Sequence, residues 1–334
     1  MKRCTYLLPI RRSIFREAEA AELRNYLSIL AGNCELIVID GSPSEIFQKH
    51  HRLWSGLCRH EVVDSRFTYL NGKVNGIHTG IRLATKEKII LADDDVRYAL
   101  ENIEKVFLLL DDFEVVRPQN YISPVSWWAQ MEAARMLINR AILRVADYPG
   151  TCAFRRTTML SLGEYDGDVL FDNEELIRHF ARRGARICYA NDFFIRKRSP
   201  KFRKWIEQRP RQAYEDFGLR GKTALFAGLL PSLLLLGIFC GVKWMSIFAF
   251  LIAAVSILVA FAGRARGNAN RFFPFSVCFF APLWIFERAL STYWAFYWYL
   301  TRGGYPFGDR LLSKGIGRDW VEGGKIAAGS SSRQ

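Results

Sequence analysis

The sequence predicts an α/β domain with a mostly parallel sheet, followed by C-terminal transmembrane helices. Two observations predict it. Strand-like and helix-like runs alternate through the first 222 residues, and apolar residues then dominate from 223 to 300.

Runs 5–10, 35–40, 67–70, 88–92 and 186–190 are rich in Ile, Val, Leu or Tyr and end at polar or turn residues, as short strands do. Helical stretches fall between them at 15–31, 76–85 and 127–145. In such a sheet a ligand binds beyond the carboxyl ends of the strands. Two of those ends carry aspartates, Asp40 and Asp93.

Segments 223–242 and 244–263 contain no charged residue, and each matches the ~20 residues needed to cross a bilayer core. Only Lys243 separates them, so they read as a helical hairpin. Segment 264–302 is also apolar but includes Pro274, Pro282, Glu287 and Arg288. Its Trp284, Tyr293, Trp294, Tyr297, Trp298 and Tyr299 suit a helix in the head-group region, with a third span as the alternative. Residues 303–334 form a Gly-rich basic tail whose Gly-Ser-Ser-Ser end is expected to be disordered.

The net charge of +14 is concentrated just before the first apolar segment: Arg196 to Lys222 holds ten Lys or Arg against Glu207, Glu215 and Asp216. Basic residues at that place meet anionic head groups and set the cytoplasmic side, which makes lipid rather than nucleic acid the expected partner. Lys243 is then left outside. Residues 1–222 are expected in the cytoplasm, attached to the inner or plasma membrane. Seven scattered cysteines without a Cys-x-x-Cys pair argue against disulfides and zinc, in keeping with a reducing compartment.

The strongest chemical signal is Lys88 to Arg97, an apolar strand that delivers Asp93, Asp94 and Asp95 at its end. Crowded carboxylates repel unless a cation lies among them. Mg²⁺ or Mn²⁺ fits, because these hard ions take carboxylate oxygens and share their remaining positions with substrate phosphates. Asp93 and Asp95 are the expected ligands. Upstream, Asn71 to Ala84 supplies a turn and Lys73 leading into a helix, and Glu35 to Ser42 is another strand ending in a carboxylate and a tight turn. His50, His51, His60, His78 and His179 show no ligand spacing and receive no role.

Together these segments resemble the family 2 glycosyltransferases of the GT-A fold, over roughly residues 4–215. The resemblance implies a nucleotide-sugar donor, with Pro9 of the first strand and Asp40 framing the base, Lys73 near the donor, and Asp93 and Asp94 at its diphosphate. Asp147 to Arg156 and Leu162 to Asp166 look like the segment that shapes the donor-sugar and acceptor pocket. Phe171 to Leu176 occupies the position of the family's Glu-Asp motif, whose aspartate is the catalytic base. Aligned directly, that aspartate falls on Asn173; shifted by one residue, it is Asp172, the base candidate. Gln208 and Arg211 resemble the start of the family's Gln-x-x-Arg-Trp signature, with Gln212 in place of tryptophan, on an interfacial helix expected at about 201–220. In relatives this element helps to bind the leaving nucleotide.

The expected reaction is an inverting displacement that moves a sugar, from a UDP-sugar by default, to a lipid acceptor reached laterally along the membrane. Two spans are few for a polymer channel, which makes a processive polysaccharide synthase the runner-up. Asn173 and the missing tryptophan motivate a third reading, a catalytically weak membrane scaffold subunit.

Overall fold

A computed structural model describes residues 2–308 and 310–317. The end of the tail lies outside these residues. Eight strands form the main sheet: β1 (Cys4–Ile10), β2 (Cys34–Asp40), β3 (Arg59–Val62), β4 (Lys88–Ala92), β5 (Val96–Arg97), β6 (Val115–Ile122), β7 (Thr151–Arg155) and β8 (Ile187–Lys197). Their spatial order is β3-β2-β1-β4-β7-β6-β8-β5. β7 runs antiparallel to both neighbours, β4 and β6, and β5 runs antiparallel to β8; the other pairings are parallel. This is the mostly parallel α/β sheet that the strand-helix alternation predicts.

The helices between these strands are α1 (Glu17–Leu30), α2 (Ser44–Trp54), α3 (Gly72–Leu83), α4 (Leu100–Asp112), α5 (Ala129–Ile142), α6 (Arg156–Leu162) and α7 (Asp172–Arg182). They cover both sheet faces, and strand periodicity divides the residues between them. Tyr6, Leu8, Leu36 and Val38 enter a core with Leu27 of α1 and Val106 and Leu110 of α4. Leu7, Ile37 and Ile39 point the other way, toward Val74 and Ile77 of α3 and Phe180 of α7. Gly80 lets α3 approach this second face, since a Cβ there would collide with Leu7.

Two strand expectations are corrected. Residues 67–70 are not a strand: the Asn75 side chain bonds both the backbone N–H and C=O of Tyr69, and Leu70 N–H donates to Asp168, so the chain enters α3 through a turn. The edge position belongs to β3. The last strand does not stop at 190 but runs to Lys197, because a register shift after Pro118 absorbs the turn-like Asn191 and Asp192.

Beyond the sheet come α8 (Phe202–Glu215), α9 (Arg220–Cys240), α10 (Val242–Ala265) and α11 (Ala281–Arg302), then a hairpin of β9 (Tyr305–Phe307) and β10 (Arg310–Leu312). α9 and α10 are the two helices long and apolar enough to cross a membrane among the described residues. α11 turns Arg288 inward, to Gln212 Oε1 at 3.0 Å and Asp216 at 3.3 Å, while Tyr293, Trp294, Tyr297 and Tyr299 stay exposed. Residues 303–308 and 310–317 of the basic tail are folded against α8 and α7; the Gly-Ser-Ser-Ser end expected to be disordered lies outside the described residues.

The apolar helices are docked on the sheet domain through α5. Met131, Ala134 and Leu137 of α5 share a core with Phe226, Ala260 and Trp284 of α9, α10 and α11. Gly263 sets the approach of α10, since a Cβ there would collide with the Leu137 carbonyl. Gly228 in α9 faces open space. Gly263→Ala is therefore expected to lower stability by about 1–3 kcal/mol, the usual result of overpacking. Gly228→Ala should leave the thermal midpoint of the detergent-solubilised protein unchanged or slightly raised.

Candidate active site

A cavity of about 950 Å³ opens beyond the carboxyl ends of β1, β4 and β8, where an open α/β sheet places its ligands. It is lined by Pro9, Lys73, Asp93, Asp94, Asp95, Asp172, Asn173, Gln208 and Arg211, nine of the ten residues singled out from the sequence. Those residues come from five separate stretches of chain. The tenth, Asp40, is not in the lining.

Lys73 ties the centre together. Asn71 caps α3 by accepting from the Lys73 N–H at 3.0 Å, which fixes the lysine in the first helical turn. Its ammonium lies 2.6 Å from Asp93 Oδ1 and 2.7 Å from Asp172 Oδ2, and donates to Asn173 Oδ1 at 3.1 Å. Burial pushes Lys73 down, but the Asp172 and Asp93 carboxylates outweigh it and hold the pKa well above the usual lysine value. Asp172 opens α7, where a carboxylate also benefits from the helix dipole. Its neighbour Glu174 turns to Arg117 of β6 at 2.8 Å, so alternate positions on this turn serve different partners.

The three aspartates after β4 face different sets of cations. Burial raises Asp93, yet Lys73 and Lys197 hold its pKa below the ordinary value. Asp94 pairs with Arg12 and lies 4.0 Å from Lys204; against the effect of burial these cations bring it down to about 2. Asp95 lies 3.6 Å from Lys197, its pKa is raised by burial, and its buried Oδ1 has no hydrogen-bond partner.

That uncommitted oxygen and the all-carboxylate donor set fit a hard divalent ion. Gly150 adds room, because a Cβ there would run into Asp93 Oδ2. Among the described residues no three Asp, Glu, His or Cys side chains converge as a metal cluster. An ion held by Asp93 and Asp95 would therefore complete its shell with water and substrate oxygens, as Mg²⁺ commonly does.

Asp40 has a different place from the one expected. It is 1% exposed, and its Oδ2 lies 2.7 Å from His50 Nδ1 and 3.3 Å from His60 Nε2. An ionised carboxylate only accepts, so both imidazoles donate. The Ser42 N–H adds a bond of 2.9 Å to Oδ1. Burial works against the charged form, but these bonds hold Asp40 well below the usual carboxylate range. Asp40 thus stiffens the β2 turn, and the neighbouring Gly41 lines the cavity in its place. The histidines left without a role converge here because parallel pairing sets His60 against Val38, two residues before Asp40.

Several cavity residues carry no motif. Lys197 ends the part of β8 that lay beyond the expected strand. Arg135 of α5 joins Glu132 at 2.9 Å and Asp147 at 2.8 Å, and Glu132 also holds Arg209 of α8 at 2.8 Å. Their i,i+3 spacing was visible, but not that three elements meet there. Arg211 bonds Glu215 at 3.0 Å and the Leu170 carbonyl at 3.2 Å. The far end of the cavity reaches Leu219, Lys222 and Arg288, at the start of α9 and on α11.

No family model matches the sequence, and no curated protein matches it. Solved structures with a similar chain path include a mannosyltransferase, PcManGT from Pyrobaculum calidifontis in complex with GDP-Man and Mn²⁺. It is 18% identical, with 87% of each chain covered and a TM-score of 0.48. Glucosyl-3-phosphoglycerate synthase from Mycobacterium tuberculosis, in complex with Mn²⁺, UDP and phosphoglyceric acid, is 16% identical; 61% of this chain and 73% of that one are covered, with a TM-score of 0.40.

Asp40→Asn should cost about 1–3 kcal/mol of stability, because it leaves buried imidazole donors short of a partner. A depressed folded pKa contributes stability that is complete above the unfolded value of about 3.9 and lost as pH falls through the folded value. Denaturant titrations should show the full gap to wild type at pH 7, closing in strong acid.

Proposed function

We propose that the chain is a metal-dependent, inverting glycosyltransferase that moves a sugar from a nucleotide-sugar, by default a UDP-sugar, to a lipid acceptor. One observation carries this reading. A single cavity joins the Lys73, Asp93 and Asp172 cluster to Leu219 and Lys222 at the entry of the first membrane-competent helix. A donor held at the strand ends and an acceptor head arriving along the membrane would meet inside it. The resemblance of the motifs to family 2 glycosyltransferases supports the same assignment.

The chemistry follows from the side chains. Asp172 accepts the proton of the acceptor hydroxyl as it attacks the anomeric carbon, and the sugar inverts as the nucleoside diphosphate departs. Lys73 offsets the charge that builds on the leaving diphosphate while keeping Asp172 aimed into the cavity. Asn173 cannot take a proton; its amide oxygen instead accepts from Lys73 and helps to orient it. Arg211, with its planar fork, suits a phosphate oxygen. When bound through Asp93 and Asp95, Mg²⁺ or Mn²⁺ supplies Lewis-acid neutralisation of the diphosphate. In this reading residues 1–222 work on the cytoplasmic face of the inner or plasma membrane.

Membranes carrying the protein, incubated with labelled nucleotide sugars and Mn²⁺, are expected to transfer label into the organic-soluble fraction. Label in a polymer fraction would favour the processive synthase. Absence of both transfer and donor hydrolysis would leave the scaffold reading. Asp172→Asn should lower kcat about 10²–10⁴-fold, the range for loss of a general base. Asp95→Asn and metal chelation should each suppress transfer, and full activity in Asp172→Asn would remove it as the base.

A further inference from the structure

The chain does not leave the active site after α11. A left-handed Gly303 ends that helix, and residues 305–308 and 310–317 fold back across the cavity. The return is clasped at several points. Leu170 and Phe171 N–H groups donate to the carbonyls of Lys314 and Gly315, both at 3.0 Å, and Gly317 N–H donates to Glu175 Oε2 at 2.9 Å. Tyr214 of α8 donates to the Ser313 carbonyl at 3.1 Å, and Lys314 pairs with Asp166 at 3.2 Å. The segment therefore braces the residues immediately before Asp172. Phe307, Gly308, Arg310 and Ile316 line the cavity.

Two of these side chains stand out by their partners. Phe307 lies under the Arg211 guanidinium, with 4.7 Å from Cζ to the ring centroid. Such a contact orients a planar cation without consuming its hydrogen-bond donors. Arg310 donates from Nη1 to the carbonyls of Thr68 and Tyr69, each at 3.3 Å, on the loop that leads into Lys73. Among the described residues Arg310 has no carboxylate within ion-pair distance. The neighbouring cavity cations are matched: Arg12 with Asp94, Lys73 with Asp93 and Asp172, Lys197 with Asp95, Lys222 with Asp216. An arginine whose charge is not already neutralised is the one able to pair a phosphate without first breaking an internal bridge.

We infer that residues 305–308 and 310–317 complete the donor site, with Arg310 binding the diphosphate of the nucleotide and Phe307 positioning Arg211 for the same group. This rests on the nucleotide-sugar reading above. It adds a third wall, contributed by the C-terminal segment, to the walls built from the strand ends and α8.

The test uses the full chain in lipid nanodiscs with Mn²⁺ and measures binding of UDP, GDP and uridine by calorimetry. Arg310→Gln should weaken diphosphate binding about tenfold, the scale of one charge-assisted contact, and change uridine binding little. Phe307→Ala should weaken diphosphate binding only while Arg211 is present, so that Arg211→Gln and the double variant bind alike, and Phe307→Tyr should restore it. If wild type binds neither UDP nor GDP, the donor reading fails and this inference with it. If wild type binds and Arg310→Gln and Phe307→Ala bind equally well, the inference alone is overturned. An equal loss for uridine in Arg310→Gln would also overturn it, because the residue would then act on the wall as a whole and not on the diphosphate.

Discussion

The ion triad of Lys73 with Asp93 and Asp172 is the constraint on which the rest of the site depends. It joins the end of β4, the start of α3 and the start of α7, three elements far apart in sequence. Removing the ammonium would leave the buried Asp172 carboxylate facing the partly buried Asp93, and uncompensated buried charge is strongly destabilising. The same triad gives the centre a dual character. It is electrically satisfied by two carboxylates, and in the proposed function the lysine is the group that an incoming diphosphate would share. A cavity lined by ten Lys or Arg and eight Asp or Glu is close to balanced, so an anionic ligand is met by rearranged pairs more than by a large standing positive field.

The supports of this centre are hydrogen bonds to buried groups rather than extra catalytic residues. Asp40 with its two histidines stiffens the β2 turn, Asn71 seats the lysine, and the Glu132, Arg135 and Asp147 network anchors α5 against β6 and the loop before β7. Each acts on geometry. Precise placement matters at such a centre because small displacements of reacting groups cost rate steeply.

Much of this was legible in the sequence. Buried parallel strands announce themselves as continuous apolar runs, and β1, β2 and β4 were found that way. Asp93 to Asp95, Lys73, Asp172, Gln208 and Arg211 were visible as polar groups at the ends of such runs or in recognisable motifs. Other features had no local signal. β8 hides behind Asn191 and Asp192, which read as a turn until the bulge opposite Pro118 is known. The convergence of His50 and His60 on Asp40 is set by the register between β2 and β3, a long-range property that no spacing along one element encodes. The hairpin of β9 and β10 had no strand signal within a Gly-rich basic tail, and Gly315 just after it sits where a Cβ would press on the Glu215 backbone.

The core shared by α5, α9, α10 and α11 has a consequence for how the molecule can be divided. Composition changes abruptly near residue 222, which invites a cut between a soluble enzyme and its anchor. Packing does not follow that line. α5 carries cavity residues Glu132, Arg135 and Met136 on one side and abuts the apolar helices with Ala134 and Leu137 on the other. A protein shortened at that line would expose the back of its own cavity floor, so the apolar helices belong to the interior architecture of the sheet domain as much as to any span.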